Sequence, residues 1–241
     1  MLKELNKLLD DIITIQSSYK EKKNKIRFKK QSSLFGLPTI EEDSYDGVIT
    51  SPPYCNRYDY TRTYALELAY LGVNDTQIKE LRQQLLTSTV ENKSKDSLLR
   101  NHYEEINRLD FLDETIEKIY SNKAFQEILA ALKARNENGD INNKGILQMV
   151  EGYFVELGLM YAELYRICKD GAKVYFVNDN VRYGGEVIPV DFLSSELAES
   201  FGFEVNSIMT IKQQKGNSSQ QMKKYGRVAL RKSITEWTVR K

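Results

Sequence analysis

The tetrapeptide Ser51-Pro52-Pro53-Tyr54 combines residue types that could hold an amine, and it uses two of the four prolines in the chain. It follows a short β-branched run, Asp46 to Thr50. Proline fixes φ and lacks an N–H. The residue before it is held extended. Ser51 and the Pro52 carbonyl therefore present acceptors, with no competing donor from Pro52 or Pro53. An exocyclic amine needs both hydrogens held if its nitrogen lone pair is to attack an electrophile. Tyr54 adds a flat face on which an unstacked base could lie. The plainer reading is a tight turn that merely ends a strand, because Pro-Pro commonly marks loops.

The elements around this turn follow from periodicity. Residues 2 to 16 predict a helix, with Leu2, Leu5, Leu8, Leu9, Ile12 and Ile13 on one face. "KIRFKK" suggests a short strand, and Phe35 to Pro38 a loop. "DGVIT" is a strand, and residues 56 to 72 read as a helix ending near Gly72. From 74 to 145 the composition turns polar and helical, which predicts an insertion; residues 1–73 and 146–241 then form the main domain. Leu147, Val150, Phe154, Leu157, Tyr161, Leu164 and Cys168 make a core-facing helical stripe. Gly171 is read as the cap of that helix. "AKVYFVN" is a strand and "DNVRYGGEVIPV" a loop. "DFLSSELAESFGF" is a helix with Asp191 as N-cap and Gly202 closing it. "EVNSIMTIKQ" and "KSITEWTVRK" read as closing strands, joined as a hairpin by a basic loop. This order is the second half of an open, mostly parallel α/β sheet. In such sheets the site lies at the carboxyl ends of strands, where SPPY falls.

Composition narrows the class. The 241 residues are 41% hydrophobic and 29% charged, with a formal net charge of +1, which suits a globular domain. Charge is uneven: residues 20 to 30 carry seven Lys/Arg against one Glu, and residues 212 to 241 carry nine against Glu236. Such patches track phosphates or form solvated faces. Two cysteines and one histidine give neither a disulfide framework nor a familiar zinc pattern. No apolar run is long enough for a membrane span. The acidic, amphipathic N-terminus is not a signal peptide. A cytoplasmic location is the default expectation.

"TSPPY" resembles motif IV of the amino-methylating DNA methyltransferases, whose pattern is [Asp/Asn/Ser]-Pro-Pro-[Tyr/Phe/Trp]. Serine in the first position is more usual among the cytosine-N4 enzymes. The runs "YDGVITSPPYCNRYDYTRTYALELAYLG", "GAKVYFVNDNVRYGGEVIPV" and "KGNSSQQMKKYGRVALRKSI" are similar to bacterial site-specific members, over about three-fifths of the chain. The resemblance implies a Rossmann-like S-adenosylmethionine-dependent sheet of which only the later strands are present. It implies DNA as substrate, cytosine N4 preferred over adenine N6. Ser51, Pro52, Pro53 and Tyr54 would hold and stack the base, and Thr50 with Ser51 would lie near the methyl donor. Asn56, Arg57, Arg62, Lys215, Asn217 and Arg227 would contact DNA or border its cleft. The insertion would contact the target sequence or a partner. Cys55 is not the thiolate of a cytosine-C5 enzyme, which would directly follow a proline; here Tyr54 intervenes. His102 is read as an exposed helix residue.

The family's glycine-rich Phe-x-Gly-x-Gly turn, and the acidic residue that ends the next strand, are missing. "KIRF" and "DGVIT" would be the third and fourth sheet elements. A sheet so halved leaves an apolar edge and face uncovered. The favoured expectation is a split enzyme, with a second polypeptide carrying the glycine-rich turn; a truncated chain and a degenerate relative are the alternatives. Two other functions stay open: a non-catalytic DNA-binding or scaffold subunit, and an RNA amino-methyltransferase.

Overall fold

The computed structural model describes residues 2–18, 27–211, 222–226 and 228–241. Residues 1–30 and 31–241 are two separate compact units. In the first, Leu2–Ser18 forms α1, as its spacing predicts, and Leu5, Leu8, Leu9, Ile12 and Ile13 are about half-exposed along it. The strand expected at "KIRFKK" is not formed by Arg27–Lys30, which are exposed and irregular; residues 25 and 26 lie outside the described residues.

The second unit begins with α2 (Ser33–Gly36), which continues into a 3-10 turn over Leu37–Thr39 in place of the expected loop. Then come β1 (Tyr45–Thr50), α3 (Tyr60–Thr63) and α4 (Ala65–Tyr70). Residues 56 to 59 are irregular, so the predicted helix starts late: the Asp59 carboxylate caps α3 by accepting from the Thr61 N–H at 3.0 Å. Four helices follow, α5 (Asp75–Gln84), α6 (Asp96–Glu105), α7 (Leu109–Ser121) and α8 (Lys123–Glu137). The long α9 (Gly145–Ile167) leads into β2 (Cys168–Asp179), β3 (Val181–Tyr183) and β4 (Glu186–Ile188). The chain finishes with α10 (Val190–Phe201), β5 (Phe203–Ile211), α11 (Met222–Tyr225) and β6 (Lys232–Val239).

The main sheet has the order β1-β2-β6-β5. β1 and β2 are parallel, with Thr50 opposite Phe176; β6 runs back antiparallel between β2 and β5. The expected closing hairpin is formed, and three of the four strands, β1, β2 and β5, run in one direction, with β6 alone reversed between β2 and β5. Alternation along β2 buries Ala172, Val174, Phe176 and Asn178 and leaves the intervening residues half-exposed. The buried face meets α9 and α10. There Trp237 is fully buried, its ring 5.1 Å from Tyr161 and 5.5 Å from Phe176. The other face carries Ile49, 83% exposed on β1, the edge strand of the described sheet.

Three local readings are corrected. Gly171 does not cap α9, which ends at Ile167; its φ of +75° serves an irregularity in the β1–β2 pairing, where Tyr45 opposes Cys168 but Gly47 opposes Lys173. The "DNVRYGGEVIPV" loop contains the β3–β4 hairpin, turned by Gly184 and Gly185 at φ +56° and +89°. Asp191 is not an N-cap. It sits inside the first turn of α10 with its carboxylate 2.6 Å from Arg231 Nε and 3.0 Å from Ser233 Oγ. Gly202 does close α10, in the left-handed conformation.

Asp191 gives a prediction. Burial pushes its carboxyl upward, but bonds from Arg231, Ser233 and Asn180 outweigh that and hold it below the usual range. A depressed folded pKa stabilises the protein above the ordinary aspartate range, and that stabilisation is lost as pH falls through the folded value. Asp191→Asn is expected to cost about 1–3 kcal/mol at neutral pH. Urea titrations at pH 7 and pH 3 check it: the gap between variant and parent should narrow in acid.

The helices of residues 75–137 share one apolar core with α9 and the sheet. Gly158 of α9 lets α7 approach closely; a Cβ there would meet Ile119 Cδ1 at 2.5 Å. His102 is half-buried rather than exposed, edge-on to Phe35 at 5.4 Å. Among the described residues no helix is long and apolar enough to cross a membrane.

Candidate active site

β1 ends at Thr50, and Ser51 to Tyr54 leave the sheet as an irregular turn beside the carboxyl end of β2. The side chain of Ser51 is on the surface, while Pro52 is buried and Pro53 and Tyr54 are half-buried. The buried Pro52 ring anchors the turn and leaves the hydroxyl of Ser51 outward. Ser51 Oγ and Tyr54 Oη are hydrogen-bonded at 3.0 Å, so the serine and the ring are held as one unit. The Tyr54 N–H donates to Tyr60 Oη at 3.3 Å, and the Asn56 N–H to the Tyr54 carbonyl at 2.7 Å. Tyr183 Oη donates to the Cys55 carbonyl at 2.7 Å and ties the turn to the β3–β4 hairpin.

Two charged residues missing from the sequence-based set stand here. Lys232 opens β6 and is the register partner of Asp179, the last residue of β2. Its ammonium lies 5.0 Å from the centre of the Tyr54 ring, a cation–π distance. A hydrogen bond to Tyr54 raises the Lys232 pKa. Burial raises the Asp179 carboxyl, while Lys232 works against that. No local motif marks either residue. Only the antiparallel pairing of β6 with β2 brings them to the end of β1.

The other expected residues are dispersed. Asn56 is a turn former whose Oδ1 accepts from the Tyr58 N–H at 3.1 Å. Arg57, at φ +66°, donates to Asn142 Oδ1 at 3.3 Å. Arg62 is exposed and ion-paired with Asp59 at 3.2 Å and Glu91 at 2.5 Å, so part of its charge is matched within the chain. Lys215, Asn217 and Arg227 lie outside the described residues. Cys55 is fully buried, and burial drives its thiol far above the ordinary range, so it is not a nucleophile at neutral pH.

Thr50, the last residue of β1, and Ser51 stand together at the strand end. A cradle for a nucleotide-like methyl donor is another matter. Gly184 and Gly185 close a hairpin, and a Cβ on Gly185 would approach the Tyr225 ring at 2.8 Å, so that glycine pair is already filled.

These features define an α/β protein with a Ser-Pro-Pro-Tyr turn at the end of an edge strand. Along most of its length the chain is similar to Type II methyltransferases. It is 56% identical over 237 residues to the Type II methyltransferase M.BsoBI of Geobacillus stearothermophilus, covering 95% of this chain and 47% of that protein. It is 45% identical over 233 residues to the Type II methyltransferase M.AvaI of a Nostoc strain, covering 97% of this chain and 46% of that one. The chain thus spans about half the length of the curated relatives it matches. No family model matches it. A solved chain described as a DNA modification methylase of Thermus thermophilus aligns with 88% of this chain and 51% of its own, at a TM-score of 0.38 and 13% identity.

Proposed function

We propose that this chain is the base-accepting portion of a DNA amino-methyltransferase with a Rossmann-like sheet, acting on cytosine N4 in preference to adenine N6. The observation that carries the reading is the outward Ser51 hydroxyl, locked to Tyr54 at the end of the edge strand β1. Similarity to two Type II methyltransferases along nearly the whole chain supports it. Ser51 Oγ and the Pro52 carbonyl accept the two amine hydrogens, and Tyr54 stacks on the flipped base. Bound S-adenosylmethionine supplies an electrophilic methyl group. The work of this chain is positioning: it holds the amine so that its lone pair points along one line.

The portion that binds the donor is assigned to a second polypeptide carrying the glycine-rich turn. Among the described residues β1 pairs with β2 alone, and an open strand edge of that kind supports this, since it accepts a further strand. Division into a main domain, residues 1–73 and 146–241, and an insertion, 74–145, is part of the same reading.

The test is calorimetric titration with S-adenosylmethionine, of this chain alone and together with a polypeptide matching the relatives' other half. Binding is expected only for the pair, followed by transfer of labelled methyl to DNA and recovery of N4-methylcytosine on nucleoside digestion. A pair that binds the donor but labels no DNA overturns the catalytic reading; N6-methyladenine as product overturns the base preference.

A further inference from the structure

A cavity of about 150 Å³ is walled by Asp140, Asn142, Tyr183, Gly184, Lys224 and Tyr225 among others. It is distinct from the Ser51 end of the turn but shares a wall with it, because the Tyr183 hydroxyl that holds the Cys55 carbonyl belongs to that wall. Its parts are held in place before any ligand arrives. Arg182 donates to the Tyr225 carbonyl at 2.8 Å, the Gly226 carbonyl at 3.1 Å and the Gly185 carbonyl at 3.1 Å, clamping the segment that carries Tyr225. The Tyr225 ring rests on Gly185 at a distance that leaves no room for a Cβ. Asp140 pairs with Lys224, and with Arg135 at 3.2 Å. Lys224 chiefly, by its hydrogen bond, draws the Asp140 carboxyl down to about 2, so the group is an ionised acceptor. Arg57 occupies Asn142 Oδ1, which directs the remaining amide capacity toward donation.

The Tyr225 ring, the edge of the buried Tyr183, the Asn142 amide and the Lys224–Asp140 ion pair together suit an unstacked nucleobase, with the pair's ammonium facing its phosphate. Aromatic faces stack bases irrespective of sequence, and amide and carboxylate groups read base edges. We propose that this cavity takes a second nucleobase of the DNA, adjacent to the one held at Ser51, and so contributes to target-site selection. The proposal rests on the reading of the substrate as DNA.

The test is NMR on the 241-residue chain with ring-labelled tyrosine and each of the four deoxynucleoside 5′-monophosphates as probe. The expected result is base-proton contacts to the rings of Tyr225 and Tyr183 for at least one of the four, with affinity weakened roughly tenfold in Asn142→Leu, the loss of one base-edge contact. Asn142 is exposed, so that variant keeps the fold. Contacts confined to Tyr54, no contact with any probe, or binding indifferent to Asn142→Leu would each overturn the proposal. The readout is contact rather than transfer, so a failure here leaves the methyltransferase reading standing and is distinguishable from its failure.

Discussion

Ser51→Ala in the assembled enzyme is expected to slow methyl transfer about 100-fold while DNA binding changes little. The serine hydroxyl is the one acceptor of the pair that a substitution can delete, since the other is the Pro52 carbonyl. Losing it frees one amine hydrogen and lets the nitrogen rotate off line, and misplacement of that kind costs about two orders of magnitude. Tyr54 separates two contributions. Tyr54→Phe keeps the stacking face but removes the 3.0 Å bond to Ser51, and should cost about tenfold or less. Tyr54→Ala also removes the stacking face, worth about 1–3 kcal/mol, and should lower kcat/KM considerably further. Single-turnover assays with saturating donor check the series. Equal rates for Ser51→Ala and the parent would mean that the turn is only a strand terminator.

The second large effect is on folding. Lys95→Ala is expected to destabilise the protein by about 3–5 kcal/mol. Lys95 and Glu156 are both buried and meet at 2.8 Å. Thr87 closes the cluster: its N–H donates to Glu156 Oε2 at 2.7 Å, its hydroxyl to Oε1 at 2.6 Å, and Lys95 Nζ donates to that hydroxyl at 2.6 Å. The loop before α6 is thereby fastened to the middle of α9. Removing the ammonium alone leaves a buried carboxylate without its cation. The double variant Lys95→Met/Glu156→Gln, which removes both charges and keeps a side chain able to accept from Thr87, should recover much of the loss. Urea midpoints of the single and double variants decide this. Equal losses in both would show that packing, not charge, governs the site.

Local pattern was enough where one segment determined its own conformation. The three-four spacing of α9, the alternation of β2 and Gly202 at the end of α10 were all readable, and so was the turn at Ser51. Pattern failed where distant residues decide. Asp191 looks like a helix cap until Arg231 and Ser233, some forty positions on, arrive beside it. Lys232 is one cation among nine near the C-terminus until its pairing with Asp179 sets it over Tyr54. The β3–β4 hairpin did carry a signal, the Gly184-Gly185 pair between Val181–Tyr183 and Glu186–Ile188, and its short strands made it easy to pass over.

The position of β6 bears on how the protein is made. This strand lies between β2 and β5 in space but leaves the ribosome after both. Until it emerges, the two strands have no bond to each other, and the pocket among Tyr161, Phe176 and Phe203 lacks the indole of Trp237. The nascent chain therefore carries unpaired strand edges and open apolar surface up to that moment, a state that invites chaperone capture. The sheet then closes in a late step, when one strand forms two ladders at once.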